Sequence, residues 1–204
     1  FLVTEFEVFR VLSRLKAGKA SLTNAISNNL LRSFADVLAA PICAMINSSI
    51  RSGYVPHQWK TSRVTLVPKV TPVMRIETDI RPISITCPVA GVAESFVSRF
   101  FDEHFDRYLD DSQFGASKSR STVLALIKLC HLIFEASDDC GNFIRLVFVD
   151  FIKAFDLIDH NVLHKKFVEC DFPTWLTSWS LDFLKDRTQF VKVGDFTSGS
   201  LVTN

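Results

Sequence analysis

Leu146-Val147-Phe148-Val149-Asp150-Phe151, continuing as Ile152-Lys153-Ala154-Phe155-Asp156, is the stretch on which the reading of this chain turns. Five apolar residues surround one carboxylate, and the run has the composition of a fully buried strand. Taking an unpaired carboxylate out of water costs several kcal/mol. Asp150 therefore either leaves the core at the strand end or meets a cation. A carboxylate delivered by a stiff strand to the rim of a cleft is one way in which phosphoryl-transfer sites hold Mg²⁺. The plainer reading is a turn cap or a pair with Lys153. Aspartyl-phosphate chemistry fits less well, because the second acid such sites place two residues on is here Ile152.

The chain has 204 residues, of which 48% are hydrophobic and 19 are Phe, with 7 Gly and 7 Pro. Such a chain has enough apolar material for one domain or two small subdomains with a real core, and it does not read as disordered. A net charge of +1 gives no global basic field, which leaves room for a local basic cleft. Five cysteines, Cys43, Cys87, Cys130, Cys140 and Cys170, are scattered, odd in number and without a C-x-x-C pair. They read as small apolar core residues of a reduced, intracellular protein rather than as a zinc site. No run approaches the roughly 20 apolar residues of a membrane span, and no signal peptide is visible. The first residue is Phe rather than Met, so the sequence reads as a piece of a longer chain.

Thr4-x-x-Glu7 is a capping box, followed by a helical stripe of Val8, Leu12 and Leu15 that stops near Gly18. Residues 34–50 carry an amphipathic helix that Pro41 is expected to kink or split and Gly53 to end. Two strands, 63–68 and 81–86, are expected to form a long-looped antiparallel hairpin, with Pro82 at an edge or at the strand start. Further helices are expected around Val89–Phe100, after a cap at Ser121 or Thr122, after a cap at Asp159, and over Leu176–Phe183. In the second of these, Leu126, Leu129, Cys130, Ile133 and Phe134 are expected to face inward. The cluster 138–142 reads as a turn, and Phe190–Val193, Gly194-Asp195 and Phe196 onward as a hairpin. Helices dominate and strands come in pairs, which is an α+β class rather than a βαβ alternation. No repeat, Gly-rich phosphate loop, G-x-S-x-G or H-E-x-x-H occurs.

Further groups could carry chemistry. Lys69 and Arg81 stand at the strand boundaries of the expected hairpin, placed either to neutralise a triphosphate or simply to be solvated. Phe151 and Phe155 could wall a nucleotide pocket or fill core. Gln113-Phe114-Gly115 with Lys118, Arg120, Ser121 and Thr122 suits phosphate contact at a helix start, and equally an ordinary capped helix behind a basic loop. His160 and His164 have helical i, i+4 spacing beside Asp159, but no third metal ligand is identifiable and a surface or capping role is the simpler one.

Taken in order, these pieces resemble the reverse transcriptase of non-LTR (LINE-type) retrotransposons. Gly53-Tyr54-Val55-Pro56 through Trp59-Lys60 and Pro68-Lys69 resemble the family's G-x-V-P-x-x-W-K and P-K. Arg81-Pro82-Ile83-Ser84 matches R-P-I-S. Gln113-Phe114-Gly115 with Arg120-Ser121-Thr122 resembles Q-x-G-x-R and S-T, and Asp150-Phe151-Ile152-Lys153-Ala154-Phe155-Asp156 resembles D-F-S-K-A-F-D. Trp179, Phe183-Leu184, Arg187 and Gln189 resemble W-x-x-x-F-L-x-x-R-x-Q. The resemblance implies right-hand polymerase fingers over about residues 1–140 and the start of the palm, with a further helix and hairpin, over about 141–204. It implies Asp150 as catalytic and metal-binding, the Phe151 carbonyl as a second donor to that metal, and Phe155 as a steric gate at the sugar 2′ position. Lys69 and Arg81 would hold the triphosphate, and Gln113, Lys118 and Arg120 would contact nucleic acid. Two Mg²⁺ ions, a dNTP, an RNA template and a DNA primer would be the partners, inside the cell, in nucleus or cytoplasm, without a membrane.

The sequence also departs from the family. It ends at Asn204, short of the G-V-P-Q-G and A-D-D box that carry two more aspartates. Leu22 and Asn24 stand where the family has Gly and Asp, Ala116 and Ser117 replace Phe-Arg, and Ser119 stands where Gly is common. The expectation is a fragment of an RNA-directed DNA polymerase that is inactive alone. The alternatives are a non-catalytic nucleic-acid-binding remnant and a decayed relic without activity.

Overall fold

The Thr4 side chain begins the first helix by accepting a hydrogen bond from the Glu7 N–H, while the Glu7 carboxylate accepts from the Thr4 N–H, so the expected capping box forms on α1 (Glu5–Ser13). This computed structural model describes residues 2–22, 25–116, 119–138, 143–151 and 157–203. It divides into two compact units, Phe1–Glu103 with His160–Asn204, and His104–Asp159.

In the larger unit, Ser27 caps α2 (Asn28–Ser33), which is followed by α3 (Ala35–Ser52). Helix α3 runs unbroken through Pro41, so the expected split does not occur. A proline costs the helix one N–H donor, and the burial of Ala39, Ile42 and Cys43 on either side holds the turn in place. Gly53 ends α3 with φ of 63°, the left-handed cap that favours glycine. Buried Asn47 is satisfied by the backbone of Val3, donating to its carbonyl and accepting from its N–H, both at 2.8 Å. That exchange ties the start of the chain to α3.

The short α4 (His57–Lys60) leads into β1 (Thr61–Pro68), and α5 (Ile76–Asp79) into β2 (Ile80–Ile85). These strands pair antiparallel from Arg63↔Ile85 to Pro68↔Ile80, and β2 is the sheet edge, where the missing N–H of Pro82 is tolerated. Helix α6 (Pro88–Phe105) follows, with Pro at its first position. After the smaller unit, which holds α7 (Thr122–Ser137), come α8 (His160–Glu169), α9 (Thr174–Leu184), β3 (Arg187–Val193), β4 (Phe196–Thr197) and β5 (Leu201–Thr203). Gly194, at φ of 58°, opens the two-residue turn that pairs Val193 with Phe196. Strand β3 lies parallel to β1, from Thr61↔Thr188 to Val64↔Val191, and β4 and β5 share its other edge. The described sheet is therefore mixed, where only antiparallel pairs were expected, and the class remains helix-rich α+β.

The core lies where α1, α3, α6 and α9 meet. Leu12, Leu31, Ile46 and Leu176 are fully buried, and each such side chain contributes about 1.5–3 kcal/mol relative to exposure. Phe101, Phe167 and Phe172 form a triad with ring centroids 5.2–5.5 Å apart. Glu7 and Arg99 join α1 to α6 at 2.9 Å.

The smaller unit holds a 3-10 turn (Asp106–Tyr108) and α7 (Thr122–Ser137), capped by Ser121, whose side chain accepts from the Leu124 N–H. The expected inward face of α7 is not buried: Leu126 and Phe134 are largely exposed and no residue of the helix is buried. The expected strand over 146–151 is also absent. These residues lie outside regular structure, and Val147, Phe148, Val149 and Phe151 are at least three-quarters exposed. A strand requires a hydrogen-bonded neighbour, and no described strand pairs with this run. Of the turn expected over 138–142, all but Asp138 falls outside the described residues.

Candidate nucleotide-binding and nucleic-acid site

The hairpin brings two of the predicted cations together. Arg81 lies opposite Val67, and Lys69 follows Val67 by two residues, so the pleat places both on one face as diagonal neighbours. The Lys69 N–H donates to the Asp79 carbonyl at 2.7 Å, which extends the ladder one step past β1. The Lys69 Nζ donates to the Thr78 carbonyl at 2.9 Å. Arg81 is exposed and has no ion pair among the described residues. The turn is built by Asp79, whose carboxylate accepts from the Met74 and Arg75 N–H groups, each at 2.9 Å, and from the Thr78 hydroxyl at 2.8 Å. These donors, the Arg75 N–H foremost, hold its pKa below the usual carboxylate range.

The base of the hairpin rests on a joint that sequence reasoning missed. Lys60 is buried, and its Nζ lies 2.9 Å from Asp182 Oδ2 of α9. The same oxygen accepts from the Val55 N–H at 2.7 Å. Trp179 Nε1 donates to Ser49 Oγ at 3.0 Å, and that hydroxyl donates to the Tyr54 carbonyl at 2.6 Å. A Cβ at Gly53 would come within 3.2 Å of Ser178 Cβ. Gly53-Tyr54-Val55-Pro56 with Trp59-Lys60 and the segment around Trp179–Phe183 are thus two halves of one contact. A signal for it was present: Asp182 is the lone acid of the apolar segment Thr174–Leu184, and a carboxylate in such a segment needs a cation.

Arg187, also matched in that later segment, stacks over Phe183 at 4.6 Å and donates to the Phe183 carbonyl at 3.2 Å. Burial lowers its pKa, opposed by the charge of Glu94. Burial raises the pKa of Glu94, opposed by Arg187, and Glu94 Oε1 is buried with no hydrogen-bond partner among the described residues.

In the smaller unit, Arg120 is occupied within its own loop. Its Nη1 donates to the carbonyls of Asp110, Asp111 and Gln113 at 3.0, 2.8 and 2.9 Å, and its guanidinium lies 5.9 Å from the Phe114 ring centre. Gln113 Nε2 donates to the Gly115 carbonyl at 2.9 Å. Both therefore shape the loop that precedes α7. Ser119 sits at φ of 61°, a left-handed conformation that favours glycine, at the position where Ser was noted in place of Gly. Lys118 and Phe155 lie outside the described residues.

Asp150 and Phe151 are exposed in the smaller unit and belong to no helix or strand. Among the described residues no three His, Cys, Asp or Glu side chains converge where they could hold a metal ion, and His160 and His164 lie on α8 without such a cluster. The described donor set does not fit a two-ion centre, since one carboxylate offers too few oxygens for hard divalent cations. No described helix is long and apolar enough to cross a membrane, and the four described cysteines are free thiols.

A mixed α+β unit that carries two cations on one hairpin face, with its base locked to a later helix, is the framework within which the comparisons with known proteins fall. No family model matches the chain. It is 25% identical, over 92% of its length, to the probable RNA-directed DNA polymerase from transposon BS of Drosophila melanogaster, and 26% identical, over 78%, to that from transposon X-element of the same species. These likenesses support a reverse-transcriptase-like region across most of the chain. The chain spans about a fifth of the length of the curated relatives it matches.

Proposed function

We propose that the chain is a fragment of a LINE-type reverse transcriptase, with fingers over about residues 1–140 and the beginning of the palm over about 141–204. The observation that carries this reading is the similarity to two transposon RNA-directed DNA polymerases along most of the chain. The shared face of Lys69 and Arg81 supports it, since two cations side by side suit a triphosphate. The parent function is synthesis of DNA on an RNA template from a DNA primer. A divalent metal, Mg²⁺ by its preference for oxygen donors, belongs to that intact enzyme, with Asp150 and the Phe151 carbonyl among its ligands and Phe155 beside the sugar. One family aspartate, Asp150, offers too few oxygens for two divalent ions, which supports the reading that the 204 residues are inactive alone.

Primer extension with Mg²⁺, dNTPs and an annealed RNA template tests the inactivity, and clear extension by these residues alone would overturn it. Binding of a fluorescent dNTP tests the hairpin separately. Lys69→Ala and Arg81→Ala are each expected to weaken it severalfold and to flatten its salt dependence, while Arg120→Ala leaves it unchanged. Equal binding by all four proteins removes the hairpin from the nucleotide site.

A further inference from the structure

The larger unit contains a cavity of about 440 Å³ that none of the polymerase roles uses. Its lining includes Trp59 and Val89, both buried, with Phe190 of β3 and Met45 of α3. Among the described residues no Asp, Glu, Lys or Arg lines it, and its polar groups are few, His57, Gln58 and Thr61 among them. Met45 is half-exposed, as is Ile26 of the same lining, so the chamber is open to solvent.

Size and lining together select a class of ligand. Small-molecule sites run from about 300 to 1,000 Å³, mostly apolar with a few polar groups that fix orientation. An apolar cavity of about 150 Å³ already stays dry and takes up benzene. This chamber is about three times larger, which leaves room for a bicyclic ring system. Two aromatic side chains and a thioether offer ring faces and a polarisable sulfur to a flat guest. The lack of a lining charge disfavours an ionic one, whose desolvation nothing would offset.

We infer that this cavity, between α3, α4, β1 and β3, is a binding site for an uncharged planar bicyclic aromatic molecule. This inference is independent of the polymerase reading, because it uses neither Asp150 nor the hairpin cations. Occupancy would press on the segment that links Trp59 to Thr61, directly beside the buried Lys60.

The chain supplies its own reporters, for it has two methionines. Met45 lines the cavity, whereas Met74 is exposed in the turn between β1 and β2. With methyl-labelled methionine and indole as the probe, the Met45 signal is expected to move and saturate while the Met74 signal stays fixed. A dissociation constant on the order of 0.1–1 mM fits a ligand of this size. Indole-3-acetate at neutral pH is expected to bind at least tenfold more weakly. By equilibrium dialysis, Met45→Lys, which puts a charge in the lining, is expected to weaken indole binding at least tenfold. Should that variant fail to fold, the methyl titration of the unaltered protein still decides. A Met45 signal that does not move, a parallel unsaturable drift of both methyls, or a folded Met45→Lys protein that binds indole as before overturns the inference.

Discussion

Arg63-Val64-Thr65-Leu66-Val67-Pro68 and Leu146-Val147-Phe148-Val149-Asp150-Phe151 read almost alike, as short runs with β-branched residues, the second with two phenylalanines besides. They end in different states. The first is strand β1, held by β2 along one edge and β3 along the other, with Val64 only 6% exposed. The second is in no strand, and Val147 and Phe148 are each 82% exposed. β-propensity describes how well a residue fits a pleated, half-buried surface, so it is expressed only where that surface exists. The first run has two neighbours to complete it, and one of them comes from more than a hundred residues away, as the contact between the Thr61 and Thr188 hydroxyls shows. The second has no paired neighbour among the described residues.

The contrast is broken most severely at the joint under β1. Asp182→Ala strips the buried Lys60 of its counter-charge and the Val55 N–H of its acceptor. Removing one partner of a buried pair costs about 3–5 kcal/mol, and the part-exposure of Asp182 argues for about 3. Urea unfolding checks this. The double variant Lys60→Met with Asp182→Leu should recover most of the loss, because no charge is then left alone in the core. If Asp182→Ala unfolds at the same urea concentration as the parent, the joint does not support the hairpin.

Val64→Ala is expected to cost about 2 kcal/mol through lost burial and the space left behind. Glu94→Gln comes next and acts in the opposite direction. Burial raises the pKa of Glu94 in the folded chain, so the folded state holds a proton that the unfolded state releases. The resulting stability is present below the ordinary carboxylate range and is lost as pH rises through the raised value. Glu94→Gln should therefore stabilise the fold by about 1 kcal/mol near pH 8 and give no advantage near pH 4. Melting curves at both pH values test the sign, and a destabilised variant at the higher pH would mean that attraction to Arg187 outweighs the desolvation. The smallest effect sharpens the comparison most. Val147→Ala should change stability by under about 0.5 kcal/mol, since an exposed side chain has little burial to lose. A loss as large as that at Val64 would show that the second run is covered after all.

The features legible in the sequence were local ones. The Thr4 and Glu7 box, the Gly53 stop, Ser121 as a cap and the Gly194-Asp195 turn are decided within four or five residues, where backbone donors and steric freedom leave few alternatives. Pro82 was legible as a residue of an edge or of a strand start, because a missing N–H is poorly tolerated elsewhere in a sheet. The site was legible in part. Lys69 and Arg81 share a face because the pleat alternates strictly, which follows once the register is known. Gln113 and Arg120 look like ligand-binding residues in sequence but donate their hydrogen bonds to their own loop. No string of letters distinguishes an arginine that meets a phosphate from one that meets three carbonyls.

By itself, then, the sequence determined the capped helices, the basic hairpin and the likeness to transposon polymerases, because each rests on short-range chemistry or on an ordered series of residues. The tertiary structure alone decided that β1 and β3 run parallel, that Lys60 and Asp182 meet inside the core, that an apolar chamber opens beside them, and that the run ending in Asp150 stays uncovered. All four depend on which distant segment arrives alongside, and burial and strand pairing are properties of the pair rather than of either partner.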